Sequence, residues 1–218
     1  MTPATVDSAA SHDVPTTPRL VMARHGETAW SRSGQHTGTT DLPMTAAGEE
    51  QARTLGRALD GQAFELVISS PLRRARDTAR LAGYGDQVEI DPDLVEWDYG
   101  AYEGVTSEQI VADLGHDWNL WLHGVPPGDT PGETAHDVQR RALAVIARCD
   151  AVLDAGGDVL LVAHGHMLRA IAAAWLGLRP QDGAVFSLST GTVSVLAFEH
   201  DHHVIRLWNC PPDALIPR

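Results

Sequence analysis

Three short apolar runs constrain this chain more than any other feature: Leu20-Val21-Met22-Ala23, residues 64–68 and residues 158–163. Each is too short for an ordinary helix. Each stops abruptly at polar or turn-forming residues, in Arg24-His25-Gly26, Ser69-Ser70-Pro71 and His164-Gly165-His166. Runs of that length between turn signals are the pattern of buried strands. Helical segments lie between and after them. Residues 45–59 place Ala52, Leu55, Ala58 and Leu59 on one face behind Thr45 as N-cap. A helix opening at Pro71 carries Arg73, Arg74, Arg76 and Arg80, and two more cover 132–153 and 166–176. A short strand at 88–90 and strand-like runs at 192–198 and 204–208 complete the set. Strands alternating with helices predict an α/β fold, a three-layer α/β/α sandwich with a mostly parallel central sheet. The pattern breaks after Glu96, where Trp97, Trp118, Trp121 and a Pro/Gly loop predict a small helical lid over about 97–135.

Composition narrows the chemistry. The 16 basic residues among 218 are all arginine, so amine chemistry through a Schiff base and the lysine of a Walker loop are excluded. A net charge of -13 argues against nucleic-acid or anionic-membrane partners, which select basic surfaces. Two cysteines, Cys149 and Cys210, make no disulfide framework and fit a reducing cytoplasm. Residues 1–18, rich in Thr, Ser, Ala and Pro, read as a disordered leader before one catalytic domain over 19–218. The expected partner is a small molecule, and a homodimer is compatible with the chain.

In open α/β sheets, ligands gather at the carboxyl ends of strands. Three such ends would bring together Arg24, His25, Arg74, His164 and His166, with Glu96 at the start of the lid. Arginine forks bind two phosphate oxygens at once and stay charged at any working pH. A histidine nitrogen within that clamp can attack phosphorus, and a nearby carboxylic acid can protonate the leaving oxygen. Alternatives compete at several positions. Arg74 shares its helix with other arginines and suits a solvated face, Glu103 or Glu133 could supply the acid, and His166 suits a helix start. A metal-dependent hydrolase using His25, His164, His166 and a carboxylate is the rival chemistry. The cluster His200-Asp201-His202-His203 resembles a metal site but fits an exposed hairpin turn better. Gly26 and Gly165 would let backbone approach a bound group closely.

The run Arg24-His25-Gly26-Glu27-Thr28-Ala29-Trp30, followed by Gly38, Asp41, Thr45 and Gly48, resembles the signature of the histidine phosphatase superfamily in its phosphoglycerate-mutase-like branch. Ser70-Pro71-Leu72-Arg73-Arg74-Ala75, Glu96-Trp97-Asp98-Tyr99-Gly100 and Ala163-His164-Gly165 are similar to its later motifs, in the same order. The resemblance implies that His25 becomes a phosphohistidine, that Arg24, Arg74 and His164 hold the phosphoryl oxygens, and that Glu96 is general acid and then base. It implies no metal and no cofactor, and an optimum below neutrality. Thr37 matches a small hydroxyl position beside the phosphate, next to Gly38.

Departures from the mutase pattern favour hydrolysis. Mutases of this branch have an arginine after the lid glutamate, where this chain has Trp97, and a later lysine, which falls near Ser107. Their asparagine after the first tryptophan is Ser31 here. The local strings are most similar to a subgroup with sedoheptulose-1,7-bisphosphatase and broad-specificity acid phosphatases, which implies a sugar phosphate substrate. Ser31, Arg32, Gln35, His36 and His166 are the candidates for its organic part or a second phosphate.

Overall fold

Alternation within the strands decides which layer each residue joins. The structure, a computed structural model, describes residues 17–215, so the leader reading lies outside it as far as residue 16. In β1 (Arg19–Arg24), Leu20 and Met22 point into one apolar cluster while Val21 and Ala23 point into another. Strand β4 (Val159–Ala163) divides in the same way, Val159, Leu161 and Ala163 against Leu160 and Val162. Both faces of the sheet are therefore apolar and must be covered.

Helices α2 (Ala46–Ala58) and α3 (Arg73–Leu81) cover one face through Leu55, Ala75 and Ala79. Helices α6 (Ala135–Asp154) and α7 (Gly165–Trp175) cover the other through Val138, Val145, Leu168 and Ile171. The six-stranded sheet runs β3-β2-β4-β1-β5-β6, with β2 at Leu66–Ser69, β3 at Val88–Ile90, β5 at Val193–Glu199 and β6 at His202–Cys210. The first four strands are parallel, and β5 and β6 return antiparallel as a hairpin beyond β1. This is the three-layer, mostly parallel arrangement. Among the described residues no helix is long and apolar enough to cross a membrane.

Differences from expectation have local causes. Helix α3 begins at Arg73 with Leu72 as N-cap, so Ser70-Pro71 forms the turn before it. Helix α6 begins at Ala135, where Thr134 caps the amide of Asp137 and Asp137 returns the bond; the Gly132 start predicted from sequence fails because Gly132 has φ 75°. A five-residue helix α1 (Ala29–Ser33), closed by a Thr28/Ser31 capping box and left-handed Gly34, was not legible as a periodic segment. The insert between β3 and α6 holds two short helices, α4 (Ser107–Leu114) and α5 (Leu120–His123). His200 and Asp201 form the β5–β6 turn, and His203 stacks on Trp175 at 4.0 Å. The histidine cluster is therefore a hairpin turn.

Candidate active site

Strands β1 and β4 are adjacent, and their carboxyl ends meet where the His25 amide donates to the Ala163 carbonyl at 3.0 Å. This brings His25 and His164 together, with ring centroids 5.1 Å apart. His25 Nδ1 lies 2.8 Å from the Gly26 carbonyl. A carbonyl only accepts, so Nδ1 carries the proton and the lone pair sits on Nε2. Burial, then the charges of Arg74 and Arg24, hold the imidazole well below its ordinary pKa. The ring is a neutral base with one nitrogen pinned and the other available.

Arg74 is completely buried, which removes the solvated-face alternative. Its Nε donates to His164 Nδ1 at 3.1 Å, and its terminal nitrogens donate to the carbonyls of Thr37, Gly38 and Thr40. Four of the five N–H groups of the guanidinium are thus committed. His164 Nε2 then donates to Ser70 Oγ at 2.8 Å, so both ring nitrogens are occupied. Neither Arg74 nor His164 lines the cavity; they form the layer beneath it. With both ring nitrogens paired, His164 has none left for the metal-dependent alternative. Among the described residues, no three His, Cys, Asp or Glu side chains are placed to hold a metal ion.

Arg24 does line the cavity, together with His25 and Glu96. One terminal nitrogen of Arg24 donates to the Leu188 carbonyl, while its Nε is buried with no partner among the described residues. Gly165 gives the guanidinium room, since a Cβ there would sit 3.1 Å from Arg24 Cζ. Gly26 plays a different part: its Cβ would meet the Gly48 carbonyl oxygen at 2.1 Å, so it serves backbone packing and not a ligand.

Glu96 is held by the amino end of α7. Its Oε1 accepts from the amides of Trp97 and Met167 at 2.9 and 3.0 Å, and its Oε2 accepts from the His166 amide at 3.0 Å. The first turn of a helix has unpaired N–H groups, and here a carboxylate distant in sequence satisfies two of them. The competing acids have other tasks. Glu103 accepts from the amides of Gly38 and Thr40, clamping the loop whose carbonyls face Arg74. Glu133 is paired with Arg141 at 2.7 Å.

The cavity measures about 370 Å³. Of the expected substrate contacts, Ser31, Gln35, His36, Thr37 and His166 line it. Arg32 does not; its side chain is 67% exposed and lies 3.9 Å from Glu27. Gly38 does not either, because its amide is spent on Glu103. His166 is both helix start and cavity wall, with Nδ1 2.6 Å from the Tyr99 hydroxyl. Burial, then Arg169, lowers its pKa well below the usual value, and burial lowers that of His36. Trp97 is buried against Trp121 and away from the cavity, whereas Trp118, Trp121 and Ser107 line it.

Arg169 was not found by sequence reasoning. It lies three residues after His166 on α7, hence on the same helix face, and that spacing was the available signal. It donates to the carbonyls of Gly183 and Ala184 and lies 5.0 Å over the Trp121 ring. Tyr99, Asn119 and Leu188 also enter the wall, from the insert and the segment before β5.

The fold and this constellation define a histidine-centred phosphoryl-transfer enzyme. The profile of the histidine phosphatase superfamily (branch 1) matches residues 20–211, and the chain belongs to that family. It is 41% identical over 184 residues to an acid phosphatase of Mycobacterium tuberculosis, covering 84% of this chain and 87% of that one. It is 36% identical over 190 residues to sedoheptulose 1,7-bisphosphatase of Saccharomyces cerevisiae, covering 76% and 70%. A solved structure of an open-reading-frame product from Mycobacterium tuberculosis superposes with a TM-score of 0.82 at 38% identity, covering 89% of this chain and 98% of that one.

Proposed function

We propose that this protein is a metal-independent phosphomonoesterase that acts on small phosphorylated metabolites, sugar phosphates in particular, through a phosphohistidine on His25. The observation that carries the proposal is the His25 ring itself: Nδ1 is tied to Gly26, and Nε2 is left on the wall of a cavity shared with Arg24 and Glu96.

In the first step Nε2 attacks phosphorus, the bond to the ester oxygen breaks, and the Glu96 carboxyl gives its proton to that oxygen. In the second, water attacks phosphorus, the P–N bond breaks, and Glu96 takes the water's proton. Arg24 meets the phosphoryl oxygens from the wall. Arg74 adds positive charge from the layer beneath, with its one uncommitted N–H. His164 and Ser70 keep Arg74 in place.

The remainder of the wall suits a polyhydroxylated chain. Trp118, Trp121 and Tyr99 offer aromatic faces, while Gln35, Asn119, Ser31 and the neutral imidazoles of His36 and His166 offer hydrogen bonds. Trp97 in the core and Ser107 on the wall leave no cation where the mutases of the branch have two, which favours water as the acceptor. A cytoplasmic setting belongs to the same proposal and is supported by two free cysteines. Nucleic acid and membrane have no part in it.

The test is turnover of phosphorylated sugars, phosphoglycerates and nucleotides by purified protein in EDTA. Release of phosphate from sugar phosphates supports the proposal. Activity abolished by the chelator, or phosphoglycerate isomerised without phosphate release, would contradict it.

A further inference from the structure

Glu96 is fixed at its side chain by α7, but its backbone is fixed by something else. Arg141, on α6, is almost buried and does not line the cavity. Its Nη1 donates to the carbonyls of Asp93 and Val95 at 2.7 and 2.8 Å. Its Nη2 lies 3.4 Å from the carbonyl of Glu96 itself. The same guanidinium makes a two-point pair with Glu133, Nε to Oε1 at 2.9 Å and Nη2 to Oε2 at 2.7 Å. It also touches Met167 Sδ at 3.4 Å, and the Met167 amide is one of the donors that hold the Glu96 carboxylate.

Glu133 extends the hold to the other side of Glu96. Its Oε2 accepts from the Asp98 amide, its own amide donates to the Asp98 carbonyl at 2.9 Å, and its carbonyl accepts from Trp97 Nε1. Asp98 accepts from Thr130 and from the Gly132 amide at the far end of the insert. One guanidinium thus grips the backbone before Glu96 and, through Glu133, the backbone after it. A lysine in that position could supply a charge but not the planar fork that meets Glu133 at two points while reaching three carbonyls.

We infer that Arg141 is a positioning residue for the Glu96 carboxylate, setting its place beside the leaving-group oxygen through the Arg141–Glu133 clamp. This rests on Glu96 being the general acid. Displacing the carboxylate by even an ångström weakens proton transfer without touching the nucleophile or the phosphate-binding charge. The consequence is selective. Esters whose leaving group needs a proton should suffer, and those with a good leaving group should not.

The experiment compares kcat/KM for a sugar phosphate and for p-nitrophenyl phosphate in wild type, R141K, R141Q, E96Q and the R141Q/E96Q double variant, with Tm measured for each. In R141Q the sugar phosphate should lose about 30-fold and p-nitrophenyl phosphate less than threefold, with R141K between wild type and R141Q. Because E96Q has already removed the proton, R141Q should add little to it on either substrate. Equal losses on both substrates in R141Q and R141K, with E96Q still selective, would overturn the role of Arg141 and leave Glu96 as the acid. Equal losses in E96Q would overturn both. If R141Q fails to fold, R141K with E133Q carries the same comparison, and an unselective loss in both overturns the inference.

Discussion

The floor of the cavity and its outer wall are built in opposite ways. The floor comes from the ends of three neighbouring strands, β2, β4 and β1, and from α3, and its side chains close on one another: Arg74 on His164, His164 on Ser70, His25 on Gly26. The wall is assembled from α1, the following loop, the insert, α7 and the segment before β5, through side chains that meet mainly by ring packing, such as His36 against Tyr99 and Trp118. A closed hydrogen-bonded floor fixes one reaction. An aromatic and amide-lined wall assembled from many segments can change without disturbing that floor, so the chemistry and the choice of substrate are separable in this molecule.

Substitutions in the two regions should therefore fail differently. The largest effect is expected for His25→Ala, which removes the nucleophile and should lower kcat on every phosphate ester by at least about 10³-fold. Near-full activity on any substrate would break the assignment. Arg74→Gln should cost about 10²- to 10³-fold in kcat across substrates, because it removes positive charge under the transferring group and the anchor of the 37–40 loop. Trp118→Ala should instead raise KM for sugar phosphates about tenfold while kcat for p-nitrophenyl phosphate stays within about twofold. A uniform loss of kcat would show that wall and floor are not separable. Ser70→Ala is the smallest of the set, about a fivefold to tenfold loss, since it deletes one buried hydrogen bond behind His164.

Proton linkage separates the regions less and tests the floor directly. Burial, then neighbouring charge, lowers the pKa of His25, His164 and His166. A neutral His25 keeps its lone pair below the ordinary histidine value, so the acid limb of the p-nitrophenyl phosphate profile should fall well under pH 6.5. A limb at about 6.5, where an unperturbed histidine titrates, would contradict that. Stability should move the other way. Below about pH 6.5 the unfolded chain binds protons on these three histidines that the folded chain refuses, so Tm should decline as pH falls from 7 to 5. A Tm that is flat over that range would show that the histidines are not held neutral.

What the sequence revealed follows the same division. Strand ends are linear features: an apolar run that stops at Arg24-His25 or at His164 announces both the strand and the polar group at its tip, so the sheet core and the floor could be placed from the chain alone. The register of contacts could not. Nothing local shows that Arg74 turns inward to join the floor while Arg73, Arg76 and Arg80 stay exposed, or that the Gly38 amide is taken by Glu103. Arg32 and Gly38 were expected in the pocket from the resemblance of their local strings; Arg32 instead lies exposed near Glu27, and the Gly38 amide donates to Glu103. Arg169, Asn119 and Leu188 reach the wall from three separate segments, a convergence that only tertiary packing creates.

The central claim is that phosphate passes through His25 Nε2 without a metal. The most direct measurement is rapid quench of a turning-over reaction into alkaline detergent in the presence of EDTA, with the phosphorylated peptide located by mass spectrometry. The account predicts phosphate on the peptide that contains His25, formed and lost at the rate of turnover and absent from His25→Ala. Steady turnover with no phosphate on His25, or phosphate on a different residue, would contradict it.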